Sequence, residues 1–129
     1  MQLLFSSTFF ITNVLSTLSK KYYLYSLFFG LLIITSLLIH SQGTMFYNLL
    51  DKVIIAFIVI TGGIYTYYKL SIKNFALLFF IFSTFFGTIY FYIYGFWTKS
   101  LCFHPTLGND YHYWMHFIGS IGHHFICLL

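Results

Sequence analysis

Apolar runs long enough to cross a bilayer, parted from one another by lysines, constrain this chain more than any other feature. In order, they cover residues 3–18, 22–40, 51–68, 75–97 and 111–129. A spanning helix needs about 20 mostly apolar residues. Charged residues make up 6% of the 129 and hydrophobic ones 60%, whereas a soluble domain carries about 25% charged residues. Six lysines and two aspartates, with no arginine, cannot clothe a water-soluble globule of this size. Two cysteines are too few to replace a core with disulfides. The net charge of +4 is scattered and forms no basic patch, so nucleic-acid binding has no footing. The reading is a single all-α domain over residues 1–129, a multi-pass transmembrane helical bundle of about five spans.

The punctuation between runs is clear. Lys20 and Lys21 mark the first reversal, and residues 41–48 form a short polar break. Lys69 and Lys73 bracket the next reversal, and residues 98–110, with Pro105, Gly108 and Asn109, form a loop rich in turn formers. The first run is diluted by Ser6, Ser7, Thr8, Thr12, Asn13, Ser16 and Thr17. A signal peptide is the alternative there, although the run has neither a positive n-region nor a small-residue cleavage site. Lys20, Lys21, Lys69 and Lys73 fall on one side of the membrane. Lys52 and Lys99 fall on the other, offset by Asp51 and Asp110. The positive-inside rule puts the first set in the cytoplasm. That gives a lumenal or extracellular N-terminus and a cytoplasmic C-terminus.

Polar groups in such spans are costly and by default face the bundle interior. His40 ends the second run and Asp51 opens the third, so both belong to the non-cytoplasmic face. The third run crosses and the fourth returns, which starts the fifth at that same face, with His112 and His116 in its first turns. Connectivity alone brings three histidines and an aspartate to one membrane level. Ser36 and His40, like His112 and His116, are four residues apart and share a helix face. Two imidazoles at that offset can bind one metal ion, and a third supplies the three-ligand set of a catalytic zinc site. From the residues alone, a metal site and a purely structural polar cluster both remain open.

Other features carry blander readings. His123 is too deep to share that ion, and it and His124 suit interhelical hydrogen bonds or a proton path. His104 reads as a solvated turn residue. Cys102 and Cys127 lie near opposite membrane surfaces, too far apart for a disulfide. The glycines at 62, 63, 87, 119 and 122 suit close helix approach, and Tyr22, Tyr23, Tyr111, Tyr113 and Trp114 suit the interface.

These residues also carry a resemblance. Ser36-Leu37-Leu38-Ile39-His40 followed by Leu49-Leu50-Asp51 is similar to the S-x-x-x-H…L-L-D signature of alkaline ceramidases, seven-span membrane amidases related to the adiponectin and progestin receptors. His112-Tyr113-Trp114-Met115-His116 with Gly122 six residues on resembles the family's H-x-x-W-H…G motif, with the tryptophan displaced. The chain looks like a shortened version, lacking a pair of spans between the third and the last. It also lacks the family's acidic N-terminal calcium-binding segment.

The resemblance implies zinc held by His40, His112 and His116, Asp51 holding or deprotonating the zinc's water, and Ser36 assisting the water or the oxyanion. It implies a zinc-dependent hydrolase of ceramide or a related lipid amide, releasing fatty acid and sphingoid base, in the endomembranes (ER or Golgi) of a eukaryotic cell. With spans missing, a homo-oligomer is one way to complete the lipid pocket. The rival of a different class is a non-catalytic membrane protein: a degenerate homologue, a receptor-like protein or a complex subunit.

Overall fold

The computed structural model describes residues 5–42, 44–97 and 110–129. Uninterrupted apolar sequence with no internal proline leaves the backbone to satisfy its own hydrogen bonds, and among spanning segments the helix does this within one piece of chain. Five helices result: α1 (Phe9–Ser19), α2 (Tyr23–Gln42), α3 (Met45–Tyr68), α4 (Phe75–Trp97) and α5 (Asp110–Leu128), with a single 3-10 turn, Ile72–Asn74, leading into α4. No strand occurs among the described residues, and the fold is an all-α helical bundle. Tyr23–Gln42, Met45–Tyr68 and Ile72–Ile93 are long and apolar enough to cross a membrane. α5 is of similar length but carries four histidines, while α1 is a shorter apolar helix.

The bounds differ from expectation in two places. The polar break at 41–48 is shorter than expected, because Ser41 and Gln42 continue α2 and Thr44 starts α3 early. The Thr44 side chain accepts from the Tyr47 N–H, which is the usual N-cap arrangement. Asp51 therefore sits in the second turn of α3 rather than at its start. The regular helix α1 begins only at Phe9, after a turn at Ser7 and Thr8. Most of the expected loop at 98–110, with Cys102 and His104, lies outside the described residues.

The reversals are chemically simple. α1 ends in a Schellman pair, Tyr22 N–H to Thr17 C=O and Lys21 N–H to Leu18 C=O, both 2.9 Å. Lys21 takes the left-handed conformation, with φ 61°, that this motif demands and that glycine usually supplies. Lys69 donates to the Tyr22 hydroxyl and ties the second reversal to the first, so the lysine-bearing turns share one end of the bundle.

Contacts along the helices fix their directions. Ser7 meets Ser36 while Val14 meets Ser26, so α1 and α2 are antiparallel. Tyr65 stacks on Tyr22 and Phe57 on Phe28, so α3 runs back along α2. α4 lies antiparallel along α5, with Phe80 against Phe125 and Gly87 beside Ile118. α5 returns to α1 and runs parallel to it. Phe10, Tyr25, Phe29, Leu32, Ile54, Ile58, Ile81 and Ile126 form the buried apolar core.

The α1–α5 seam is polar. Asn13 donates to the Ser120 carbonyl at 2.9 Å and accepts from the Ser120 hydroxyl at 2.6 Å. His124 lies 2.9 Å from the hydroxyls of both Thr12 and Ser16. Interhelical hydrogen bonds in membranes are worth about 0.6 kcal/mol each, so several are needed to hold a helix as short as α1. The serines and threonines that dilute the first run are its means of attachment.

Glycine matters most at one contact. A Cβ on Gly122 would lie 2.5 Å from Thr84 Oγ1 and 3.1 Å from Thr84 Cβ. Thr84 is held in place by donating to the carbonyls of Phe80 and Ile81, both at 2.9 Å. Gly122→Ala is expected to destabilise the fold by about 1–3 kcal/mol through overpacking. Gly63→Ala, which meets nothing within 4 Å, should change it by less than about 0.5 kcal/mol. Thermal unfolding in detergent micelles measures both, and equal effects of the two substitutions would contradict the tight α4–α5 contact.

Candidate metal centre

Three histidines meet at the end of the bundle opposite the lysine-bearing turns. α2 and α5 run antiparallel, so the last turn of α2, with His40, lies beside the first two turns of α5, with His112 and His116. Four residues along a helix advance about 6 Å and return to within about 40° of the same face, which stacks His116 beside His112. Their ring centroids are 4.2 Å apart. His40 lies 5.1 Å from His112 and 6.1 Å from His116.

One ligand nitrogen from each ring lies within 4.8 Å of the other two. Zinc–nitrogen bonds of about 2.0–2.1 Å put two nitrogens of a tetrahedral site about 3.3–3.4 Å apart. Side-chain rotations that draw the nitrogens in by about 1.5 Å at most therefore suffice to close the set on an ion.

The donor atoms fit a metal in a second respect. Neither ring nitrogen of His112, nor Nε2 of His40, has a hydrogen-bond partner among the described residues, and all three atoms are buried. Each such orphan costs about 1–3 kcal/mol. Buried polar atoms are ordinarily paired, and three orphans gathered in one cluster call for a common partner. A cation that takes nitrogen lone pairs satisfies at least two of them at once.

The neighbouring polar groups are already engaged. Ser36, one turn before His40, has its hydroxyl 2.8 Å from that of Ser7. Asp51, half-buried on α3, accepts from the Thr35 hydroxyl at 2.9 Å. Thr35 is 140° around α2 from His40 by helical geometry, so Asp51 is bound to a different face of that helix. Lys52 donates to Asn48 at 2.8 Å. On the α1 side, Ser6 Oγ is 3.1 Å from His116 Nδ1, and the Phe10 ring is 5.1 Å from the His116 ring.

Of the five residues expected at the site, His40, His112 and His116 are brought together as ligand candidates. Ser36 and Asp51 lie on the elements that carry or flank them, each hydrogen-bonded to another side chain. His123 takes no part in the cluster, and its Nδ1 pairs with the hydroxyl of the fully buried Tyr25. Cys127 is buried and free. Ser6, Ser7 and Thr35 were not anticipated. A signal existed for the first: Ser6, Asn13 and Thr17, all 0% exposed, repeat at helical spacing and mark a buried polar stripe in a weakly apolar run.

No family model, characterised protein or solved structure matches the chain.

Proposed function

We propose that this chain is a zinc-dependent membrane amide hydrolase acting on ceramide or a related lipid amide, releasing a fatty acid and a sphingoid base. One observation carries the reading: His40, His112 and His116 converge with one nitrogen of each within 4.8 Å of the others, and Nε2 of His40 and both nitrogens of His112 lack partners among the described residues. A purely structural cluster would have paired them.

Zinc, when bound by His40, His112 and His116, supplies a Lewis acid for the amide carbonyl and lowers the pKa of water toward neutrality. Asp51 is the proton carrier of this reading. Its carboxylate, steadied by Thr35, takes a proton from the attacking water and delivers it to the nitrogen of the leaving amine. Water oxygen bonds to the carbonyl carbon, the carbon–nitrogen bond breaks, and the proton leaves on the amine. Ser36 donates a hydrogen bond to the developing oxyanion by exchanging its partner Ser7 for the substrate oxygen. The chain crosses the membrane five times in this proposal. The histidine end faces the lumen or exterior and the end with Lys20, Lys21, Lys69 and Lys73 faces the cytoplasm.

A second reading is favoured by the Ser7–Ser36 and Thr35–Asp51 pairs, which join helices without any substrate. Under it the protein is a non-catalytic membrane component. Metal analysis of the purified protein, followed by incubation with N-acyl sphingoid lipids in mixed micelles, separates the two. The hydrolase reading expects about one zinc per chain and chelator-sensitive release of fatty acid. Metal-free protein, or zinc-loaded protein that cleaves no lipid amide, would establish the second reading.

A further inference from the structure

The residues that lead into α1 reach the histidine cluster through Ser6. Ser6 is completely buried, and its hydroxyl oxygen lies 3.1 Å from His116 Nδ1. Phe10, one turn on, lays its ring 5.1 Å from the same imidazole. The next residue, Ser7, is also completely buried and bonds to Ser36. The segment from Ser6 to Phe10 thus touches one histidine of the cluster directly and the helix face of another.

A neutral imidazole has one N–H and one lone pair, and only the lone pair can bind a metal ion. The nitrogen that does not ligate carries the proton and needs an acceptor, which also fixes the plane of the ring. We propose that Ser6 is a positioning residue for the metal centre: its hydroxyl oxygen accepts from His116 Nδ1–H and so commits Nε2 of His116 to the ion. The inference rests on the metal-site reading and adds to it a role for the residues that lead into α1. His112 has no partner on either nitrogen among the described residues, so no comparable contact orders its ring. Among the described residues of the cluster, His116 is the imidazole held by a buried hydroxyl, the fixed point from which the other two close. The Ser6 main chain is also a hydrogen-bond partner of His116, and an alanine would keep that contact while removing the hydroxyl, so the substitution isolates the side chain.

The test uses the full chain in detergent micelles or nanodiscs, with zinc affinity read by chelator competition and geometry read from the visible spectrum of the cobalt-substituted protein. Ser6→Ala is expected to weaken zinc binding about 10- to 100-fold, the usual effect of losing such a partner, and to alter the cobalt bands. Ser6→Thr, which keeps the hydroxyl, should restore both. Wild-type affinity and spectrum in Ser6→Ala, or equal losses in the alanine and threonine variants, would overturn the role of the hydroxyl while leaving the metal site standing. Wild-type protein that binds neither zinc nor cobalt would remove both. Imidazole nitrogen shifts in histidine-labelled, metal-free wild-type protein give a readout that needs no variant to fold. His116 is expected to be protonated at Nδ1, and the opposite tautomer refutes the proposal.

Discussion

Substituting phenylalanine for His112 is expected to abolish zinc binding and, in the metal-free protein, to raise stability. The two effects have one cause. His112 is the middle member of the cluster, 4.2 Å from His116 and 5.1 Å from His40, whereas those two stand 6.1 Å apart. Removing it leaves the widest pair to hold an ion alone. Zinc sites with full ligand sets bind with about 10–16 kcal/mol, so one ligand is worth about 3 kcal/mol or more. That is a loss of affinity of at least about 100-fold. Meanwhile both nitrogens of His112 are buried without partners among the described residues, at about 1–3 kcal/mol each. A ring of similar size without nitrogens removes that cost, less whatever the altered shape costs in packing. A gain of about 1–3 kcal/mol in the chelated protein, read by thermal unfolding, is the signature of a residue kept for function at the expense of the fold. If instead His112→Phe destabilises the chelated protein, His112 belongs to a structural cluster and the metal site loses its main support.

The helices were legible in the sequence because one physical requirement dominates. Apolar residues without charge or proline become helices in lipid, and lysines fall between them or, like Lys52 in α3, near one end. The run at 75–97 reappears as Phe75–Trp97, and the other helices agree to within a few residues at most ends. The exceptions lie at the starts of α1, where the Thr8 hydroxyl donates to the Phe5 carbonyl in a turn, and of α3, where short-range capping competes with apolarity. Thr44 begins α3 six residues before the apolar pattern does, and no hydropathy argument weighs a single hydroxyl. The convergence of His40 with His112 and His116 was legible for a similar reason. An up-and-down chain has only two ends, and parity assigns each residue to one of them.

Parity says nothing about rotation around a helix axis. That is why Asp51, correctly placed at the histidine end, is bonded to Thr35, a third of a turn or more away from the face that carries His40. Ser6 and Ser7, just before α1, were hidden by a different ambiguity. In a membrane segment a hydroxyl reads first as lost hydrophobicity, and only its buried partner, His116 for Ser6 and Ser36 for Ser7, turns it into an asset. The same holds for Asn13 and Ser120, whose mutual bonds join residues 107 positions apart in sequence.

Asp51→Asn separates the chemistry from the metal. Asparagine has the size and shape of aspartate, and its carbonyl oxygen can still accept from Thr35 as the carboxylate does at 2.9 Å. The α2–α3 contact and the histidine cluster on α2 and α5 should therefore persist, with zinc content unchanged. The amide cannot take up and return a proton. Proton transfer by a positioned side chain contributes about 10²–10⁴-fold to rate, and release of fatty acid from a lipid amide is expected to fall by that factor. Thr35→Val provides the graded companion. It leaves the carboxylate in place but removes the bond that orients it, so its loss of activity should be smaller than that of Asp51→Asn. The order matters more than either magnitude. If Thr35→Val proves as damaging as Asp51→Asn, the pair acts as a helix-to-helix fastening and its disruption reaches the site through the fold. If Asp51→Asn retains full activity with zinc bound, the proton is carried by another group, and the histidine cluster acts without the carboxylate assigned to it here.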